Sequence, residues 1–363
     1  MSEELTKEVA YKALQKFFEE KPFVLFGTGT SCAVHPDYGM PALSRHLLNE
    51  IGRQELTPEQ QTQWDSVKQA LNEGRGRNLE SAMNGVKDEN LICRIVNSTA
   101  DLVISLDRKH GRKILLAETD WPALSLFKRL VDGFSVLHVA TPNYDLLAEY
   151  AFERADIPYT TGFVGGVCRR LDWSQAGYCM TYLDRSPYGK RFKEVLKSRK
   201  HINLYKVHGS LNTFKYNNQI IENNAWMFKV PDGIERVMIT PGTMKYEKLH
   251  KNRADLLSTY DKEFAKHNAF LFIGFGFNDN QLINDSLKRK ICDQRCRALI
   301  ITRDSNNRIE TLAKDCENLW LVCTQKNGDS EGTRIFNSRK GELYLDKKSL
   351  WDLKQFAEEI LGG

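Results

Sequence analysis

Short apolar runs of four to seven residues, rich in β-branched and aromatic side chains, recur along the chain, each followed by polar, Gly or Asn turn chemistry and a helix-period segment. They lie at 23–26, 134–140, 202–207, 236–239, 269–273, 298–302 and 319–323. Several are apolar without alternation, the pattern of strands covered by helices on both faces of a parallel sheet. This grammar predicts an α/β fold. The helices have legible ends. Thr57-Pro58-Glu59-Gln60 reads as a capping box with Pro at the first helical position. Leu91, Ile95, Leu102 and Leu106 mark a long amphipathic helix with a stop at Gly111. Ser349-Leu350-Trp351-Asp352 caps a final helix with a stripe through Leu353, Phe356 and Ile360. Residues 52–133 hold helical periods and no convincing strand, so they read as a helical insertion between the first two core strands. Residues 157–200, rich in Gly, Tyr and Arg, read as an irregular insertion. Residues 1–363 together are expected to form one domain.

Composition excludes several classes. A hydrophobic fraction of 41% with only 10 prolines describes a globular chain rather than a disordered or fibrous one. The first twenty residues lack the apolar core of a signal peptide, and nothing approaches the roughly 20 apolar residues of a membrane span. A cytoplasmic protein without membrane contact is expected. Its eight cysteines then read as reduced thiols, and disulfides are not expected. Paired Cys-x-x-Cys motifs are absent, so no metal is expected. The net charge of +5 is too small to imply nucleic-acid binding by itself. A basic strip over 185–201 (Arg185, Lys190, Arg191, Lys193, Lys197, Arg199 and Lys200, with Tyr188 and Phe192 between them) is read first as a solvated helix face and second as a surface for phosphates.

The first strand runs into Gly27-Thr28-Gly29-Thr30-Ser31, a turn whose glycines let backbone approach a phosphate while amides of a following helix point outward. Cys32 stands where a dinucleotide fingerprint would place its third glycine. Three further strand ends carry Thr141-Pro142-Asn143-Tyr144-Asp145, Val207-His208-Gly209 and Gly274-Phe275-Gly276-Phe277-Asn278-Asp279. In a Rossmann-like parallel sheet the carboxyl ends of strands converge on one crevice. An amide, a carboxylate, an imidazole and two glycine turns are therefore expected to share a cleft.

In order and strand context, the Gly27–Ser31 turn, Gly39-Met40-Pro41, the Thr141–Asp145 turn and His208-Gly209 resemble the NAD-site motifs of sirtuins, from about Phe23 to at least Asn280. Two departures are visible. Deacetylating sirtuins carry Asp-Phe-Arg where this chain has Ala42-Leu43-Ser44, and they carry paired zinc cysteines that this chain lacks. The run from Gly274 to Leu282 resembles instead the sirtuin-like domains of bacterial antiphage defence. That resemblance implies an NAD+ glycohydrolase that cleaves NAD+ to nicotinamide and ADP-ribose in abortive infection.

The resemblance also implies a homo-oligomer and a HerA-like hexameric ATPase or other sensor subunit as partner, any DNA contact coming through that partner. Asn143 would hold a ribose hydroxyl or orient water, with helix capping as its plain structural role. His208 would act as general base. Asp145 would orient ribose or stabilise positive charge, or else serve as a solvated carboxylate in a helix's first turn. Gly27, Thr28, Gly29, Thr30, Ser31, Gly39, Met40, Pro41, Tyr144, Gly274, Phe275, Gly276, Asn278 and Asp279 would contact NAD+. Tyr144, Phe275 and Phe277 would wall the site, and His35 and Asp37 would lie on a mobile lid. Protein deacylation, a non-enzymatic NAD or ADP-ribose sensor in a DNA-acting complex, and a nucleic-acid binder built on the basic strip are the alternatives.

Overall fold

The computed structural model describes residues 5–72, 79–188, 191–239, 246–278, 282, 285–328 and 330–362. Helix α1 (Lys7–Phe18) leads to strand β1 (Phe23–Phe26), then a single turn of helix, α2 (Gly29–Cys32), and α3 (Met40–Gly52). Helices α4 (Pro58–Asn72), α5 (Leu79–Ala82), α6 (Glu89–Leu115) and α7 (Leu124–Gly133) precede β2 (Val136–Thr141) and α8 (Leu147–Arg154). Next come β3 (Tyr159–Thr160), β4 (Phe163–Gly165), β5 (Arg169–Leu171), α9 (Trp173–Cys179), β6 (Thr181–Tyr188), β7 (Arg191–Ser198) and β8 (His201–Lys206). Strands β9 (Gly209–Tyr216), β10 (Gln219–Glu222) and β11 (Glu235–Met238) lead to α10 (Tyr246–Lys266) and β12 (Ala269–Ile273). The chain ends with α11 (Asp285–Lys288), β13 (Arg297–Ile301), α12 (Asn307–Asp315), β14 (Leu319–Asn327), β15 (Ser330–Asn337), β16 (Gly341–Asp346) and α13 (Leu353–Ile360).

The main sheet has nine strands in the order β16-β15-β14-β13-β12-β1-β2-β8-β3. Every pairing from β14 to β3 is parallel, and only β15 and β16 add antiparallel edges. Phe23, Val24 and Leu25 in β1 are wholly buried, which is why the sequence shows no alternation there. Residues of α1, α7, α8 and α13 close one face in a single apolar cluster, and residues of α10 and α12 close the other. The fold is α/β with a large, mostly parallel sheet flanked by helices, as the sequence pattern predicts. Among the described residues, no helix is long and apolar enough to cross a membrane.

Several local expectations are corrected. The run at 236–239 is not a strand of the parallel sheet. It becomes β11, antiparallel to β9 in a second, five-stranded sheet ordered β11-β9-β10-β5-β4, because the chain reverses at Gly209 with φ +74°. Residues 157–200 are not irregular: they supply β3, β4, β5, α9 and the β6–β7 hairpin. The basic strip is thus a β-ribbon, not a helix face. Gly111 does not stop its helix, since α6 continues to Leu115. Glycine is needed there because a Cβ would stand 2.4 Å from the Tyr150 ring of α8. Cys292 and Cys316 form a disulfide, against the expectation of reduced thiols. The turn after α11 and the residue ending α12 meet in one apolar cluster beneath the sheet, which brings the two sulfurs together.

Other elements follow local rules. The Thr57 Oγ1 and Gln60 side chain exchange the two hydrogen bonds of the capping box, at 3.3 and 3.2 Å. In the final helix Asp352 is the cap, accepting from Lys354 and Gln355 amides. Leu47, Ile51, Trp64, Val67, Leu91 and Ile95 give the helices before β2 a small core of their own.

Gly162 lies in the link from β3 at the edge of the main sheet to β4 of the second sheet. Its φ is +84°, and a Cβ would lie 2.4 Å from the indole of Trp173, which packs 4.7 Å from the Tyr205 ring. Gly162→Ala would combine a left-handed backbone with an overlap against central ring atoms. It is expected to lower stability by about 2 kcal/mol or more in urea unfolding. An unchanged midpoint would show that the indole yields freely.

Candidate functional site

The turn after β1 is shaped by backbone contact with the end of β12. The Gly27 amide donates to Ile273 O and the Gly29 amide to Gly274 O, both at 2.9 Å. A Cβ on Gly29 would stand 2.7 Å from Gly274 Cα, and one on Gly27 2.8 Å from Gly274 O. The Thr30 and Ser31 amides donate within the turn, to Gly27 O and Thr28 O. These glycines serve close chain approach, and the amides of Gly27 and Gly29 are committed to the end of β12. The helix that follows is one turn long, because the chain breaks at His35-Pro36.

That approach sets Ser31 beside the end of β2. Ser31 Oγ donates to Asp145 Oδ2 at 2.7 Å and accepts from Asn143 Nδ2 at 3.0 Å. Asn143 Nδ2 also donates to Gly27 O at 3.2 Å, and its amide N–H donates to Thr141 Oγ1. Both amide hydrogens of the side chain are thus committed, which assigns the orientation of the carboxamide. Its Oδ1 is buried and has no hydrogen-bond partner in the protein. Asn143 is not a helix cap. The side chain nearest that role is Asp145, whose Oδ1 accepts from the Leu147 amide at 3.3 Å.

Asp145 is buried rather than solvated, at 6% exposure. Behind it lie Asp107, Glu149 and Lys206, all buried. Lys206 Nζ donates to Asp145 O at 2.6 Å and pairs with Glu149 at 3.0 Å. Asp107 accepts from Tyr38 Oη at 2.9 Å and from the Leu146 amide at 2.8 Å. Burial raises the pKa of Asp145, with Lys206 opposing. Burial and then the charge of Asp145 lift Asp107 well above the usual carboxylate range, and burial raises Glu149. On β10, burial pushes Glu222 up to about 7 although Arg169 sits 3.0 Å away.

His208 is half-buried at the turn between β8 and β9, and its carbonyl accepts from the Ile239 amide at 2.9 Å. Gly209 must be glycine, since a Cβ would stand 2.0 Å from Val237 O. The Tyr144 hydroxyl donates to Ile239 O.

These strand ends line one cavity of about 340 Å³. It brings together Gly27, Thr28, Gly29, Met40, Asn143, Tyr144, Asp145, His208, Gly274, Phe275, Gly276 and Asn278 from the expected set. Thr30, Ser31, Gly39 and Pro41 do not line it. Thr30 Oγ1 turns back to Gly27 O, Ser31 supports Asn143 from behind, and Gly39 and Pro41 form the start of α3. Asp279 lies outside the described residues. Phe275 and Phe277 both wall the cavity and pack on Phe272. Leu43, Leu79, Thr99, Leu102 and Val103, which close the cavity from α3, α5 and α6, were not expected at the site, since residues on helix faces carry no strand-end signature. The loop with His35 and Asp37 is tied down rather than a loose lid: Tyr38 bonds Asp107, and the His35 ring lies 4.7 Å from that of His110. Among the described residues, no group of three His, Cys, Asp or Glu side chains is placed to hold a metal ion.

A family model described as SIR2-like domain matches residues 137–320, just over half of the 363-residue chain. The match takes in Asn143, Asp145, His208 and the Gly274–Asn278 turn and leaves the Gly27–Ser31 turn outside. No curated protein matches the chain significantly.

Lys206 faces three carboxylates whose pKa values are raised in the fold, so protons enter the cluster as pH falls and its negative charge shrinks. Lys206→Met is therefore expected to cost about 3–5 kcal/mol at pH 8 and clearly less at pH 5, read by urea unfolding. An equal loss at both values would contradict this electrostatic reading. Glu222 acts in the same direction. Raised from 4.5 to about 7, it withdraws stability as pH climbs through that window, and Glu222→Gln should flatten the decline.

Proposed function

The chain belongs to the SIR2-like domain family, and we propose that it is an NAD+ glycohydrolase, releasing nicotinamide and ADP-ribose. Members of this family are NAD-dependent enzymes. The observation that carries the finer reading is the Asn143 carboxamide, whose nitrogen is held by Ser31 and Gly27 while its buried oxygen has no partner in the protein, on a residue that lines the cleft together with His208.

Nicotinamide leaves NAD+ as a neutral base, taking the C–N electron pair, and the ribose gains oxocarbenium character. Position and electrostatics then dominate the barrier. Asn143 Oδ1 would accept from a ribose hydroxyl and fix the sugar. Water would attack the anomeric carbon, with His208 taking its proton. The buried carboxylates behind Asn143 would favour positive charge on the ribose. Leu43 in the cavity wall stands where deacetylating sirtuins carry the middle residue of Asp-Phe-Arg, which supports water rather than an acyl-lysine as acceptor.

An unrestrained NAD+ hydrolase would empty its own cell. We therefore place this activity in cytoplasmic antiphage defence by NAD+ depletion. Self-association and a HerA-like ATPase or other sensor subunit would provide the control, as the resemblance implies.

Incubation with NAD+ alone should yield nicotinamide and ADP-ribose in equal amounts by chromatography, without any acyl peptide. Asn143→Ala and His208→Ala should each lower turnover by about 10²–10⁴. Ser31→Ala, which leaves the carboxamide in place but unsupported, should lower kcat by roughly tenfold, the worth of one hydrogen bond. Strict dependence on an acylated peptide would replace this reading with deacylation. NAD+ binding without turnover, unaffected by either alanine variant, would make the chain a sensor.

A further inference from the structure

Strands β6 and β7 form a two-stranded antiparallel sheet of their own, hydrogen-bonded to neither larger sheet. Isolated hairpins are only marginally stable in water. This one projects from a fixed root: Trp173 of α9 is packed on Tyr205, the Arg199 amide donates to Met180 O, and Lys200 Nζ donates to Asp132 O at 2.6 Å.

Charge is concentrated in this arm. Residues 181–200 carry seven basic and two acidic side chains, and removing them from the chain's 52 and 47 leaves 45 of each. The whole formal charge of +5 thus resides in twenty residues. The two acids are each matched within the arm, Glu194 by Arg185 at 2.8 Å and Asp184 by Lys197 at 2.5 Å. The arm also exposes apolar surface. Phe192 is 73% exposed, Leu183 53% and Leu196 52%. Register pairs Leu183 with Leu196 and Pro187 with Phe192 on one face, while Tyr182, Lys193 and Lys197 share the other.

We propose that the β6–β7 arm is a binding site for single-stranded nucleic acid. Such a polymer brings both things the arm asks for: phosphates for Lys193 and Lys197 with an unstacked base for Tyr182 on their face, and, because a single strand can bend round a ribbon, a further base for Phe192 on the other. A duplex keeps its base faces inside the stack and would leave the apolar side unserved. A second copy of the arm would bring a like charge of +5 against it. The root lies at the amino end of β8, whose first residue pairs with Val136 at the start of β2, whereas the cavity is at the carboxyl ends of these strands. Binding on the arm therefore leaves the cleft accessible.

Fluorescence anisotropy on the full chain, with a labelled 20-nucleotide single strand and its duplex over a salt series, tests this. The single strand should bind at least tenfold more tightly than the duplex and weaken linearly in log salt. The combined variant Lys193→Gln, Lys197→Gln, Arg199→Gln should reduce that slope by about 2, each lost phosphate contact contributing roughly 0.7. Phe192→Ala should weaken binding about tenfold at every salt concentration with the slope unchanged, and Phe192→Trp should restore it. Melting curves matching the parent chain would establish that these surface variants fold. Equal affinity for the duplex, for polyglutamate or for vesicles of anionic phospholipid would overturn the proposal, as would unaltered binding by the charge variant.

Discussion

The site depends on how closely the turn after β1 can approach the end of β12. Gly27, Gly29 and Gly274 meet backbone to backbone, a contact that no side chain could share. That contact sets Ser31 opposite Asp145, and Ser31 in turn holds the nitrogen of the Asn143 carboxamide, leaving its buried oxygen without a partner in the protein. The glycine pattern thus also places the residue that orients the Asn143 carboxamide. The chain Asp145, Ser31, Asn143 turns a packing constraint into a chemical one.

Beneath this chain the protein buries more carboxyl groups than it has cations to match them. Asp107, Asp145 and Glu149 face one ammonium, Lys206, with Glu222 and Arg169 nearby. Such a cluster is costly in the absence of ligand, because desolvation opposes each charge. The cost has a use if positive charge develops above it during bond breaking. The cluster then acts as a preorganised field rather than as a structural bridge.

Much of the fold was legible because burial on both faces leaves an uninterrupted apolar run, as in 23–26, 202–207 and 269–273. The β6–β7 hairpin was not, since charged side chains on an exposed ribbon carry no periodic apolar signal. The β9–β10 hairpin was missed although Asn217-Asn218 marks it: both adopt positive φ, the demand of a tight hairpin turn. Asn143, Asp145 and His208 were legible from their places at strand ends. Lys206 and Asp107 were not, since each reads as an ordinary surface charge until tertiary packing buries it. Gly111 misled for a related reason, because only the Tyr150 ring explains a glycine inside a helix.

In the proposed reaction the Asn143 carboxamide would be held with its oxygen toward the ribose. A crystal structure with a hydrolysis-resistant NAD+ analogue tests it most directly. Asn143 Oδ1 is expected about 3 Å from a ribose hydroxyl, with Nδ2 still bonded to Ser31 Oγ and His208 facing the anomeric carbon. A ribose bound elsewhere, or an Asn143 side chain swung off Ser31 to donate to the ligand, would contradict it.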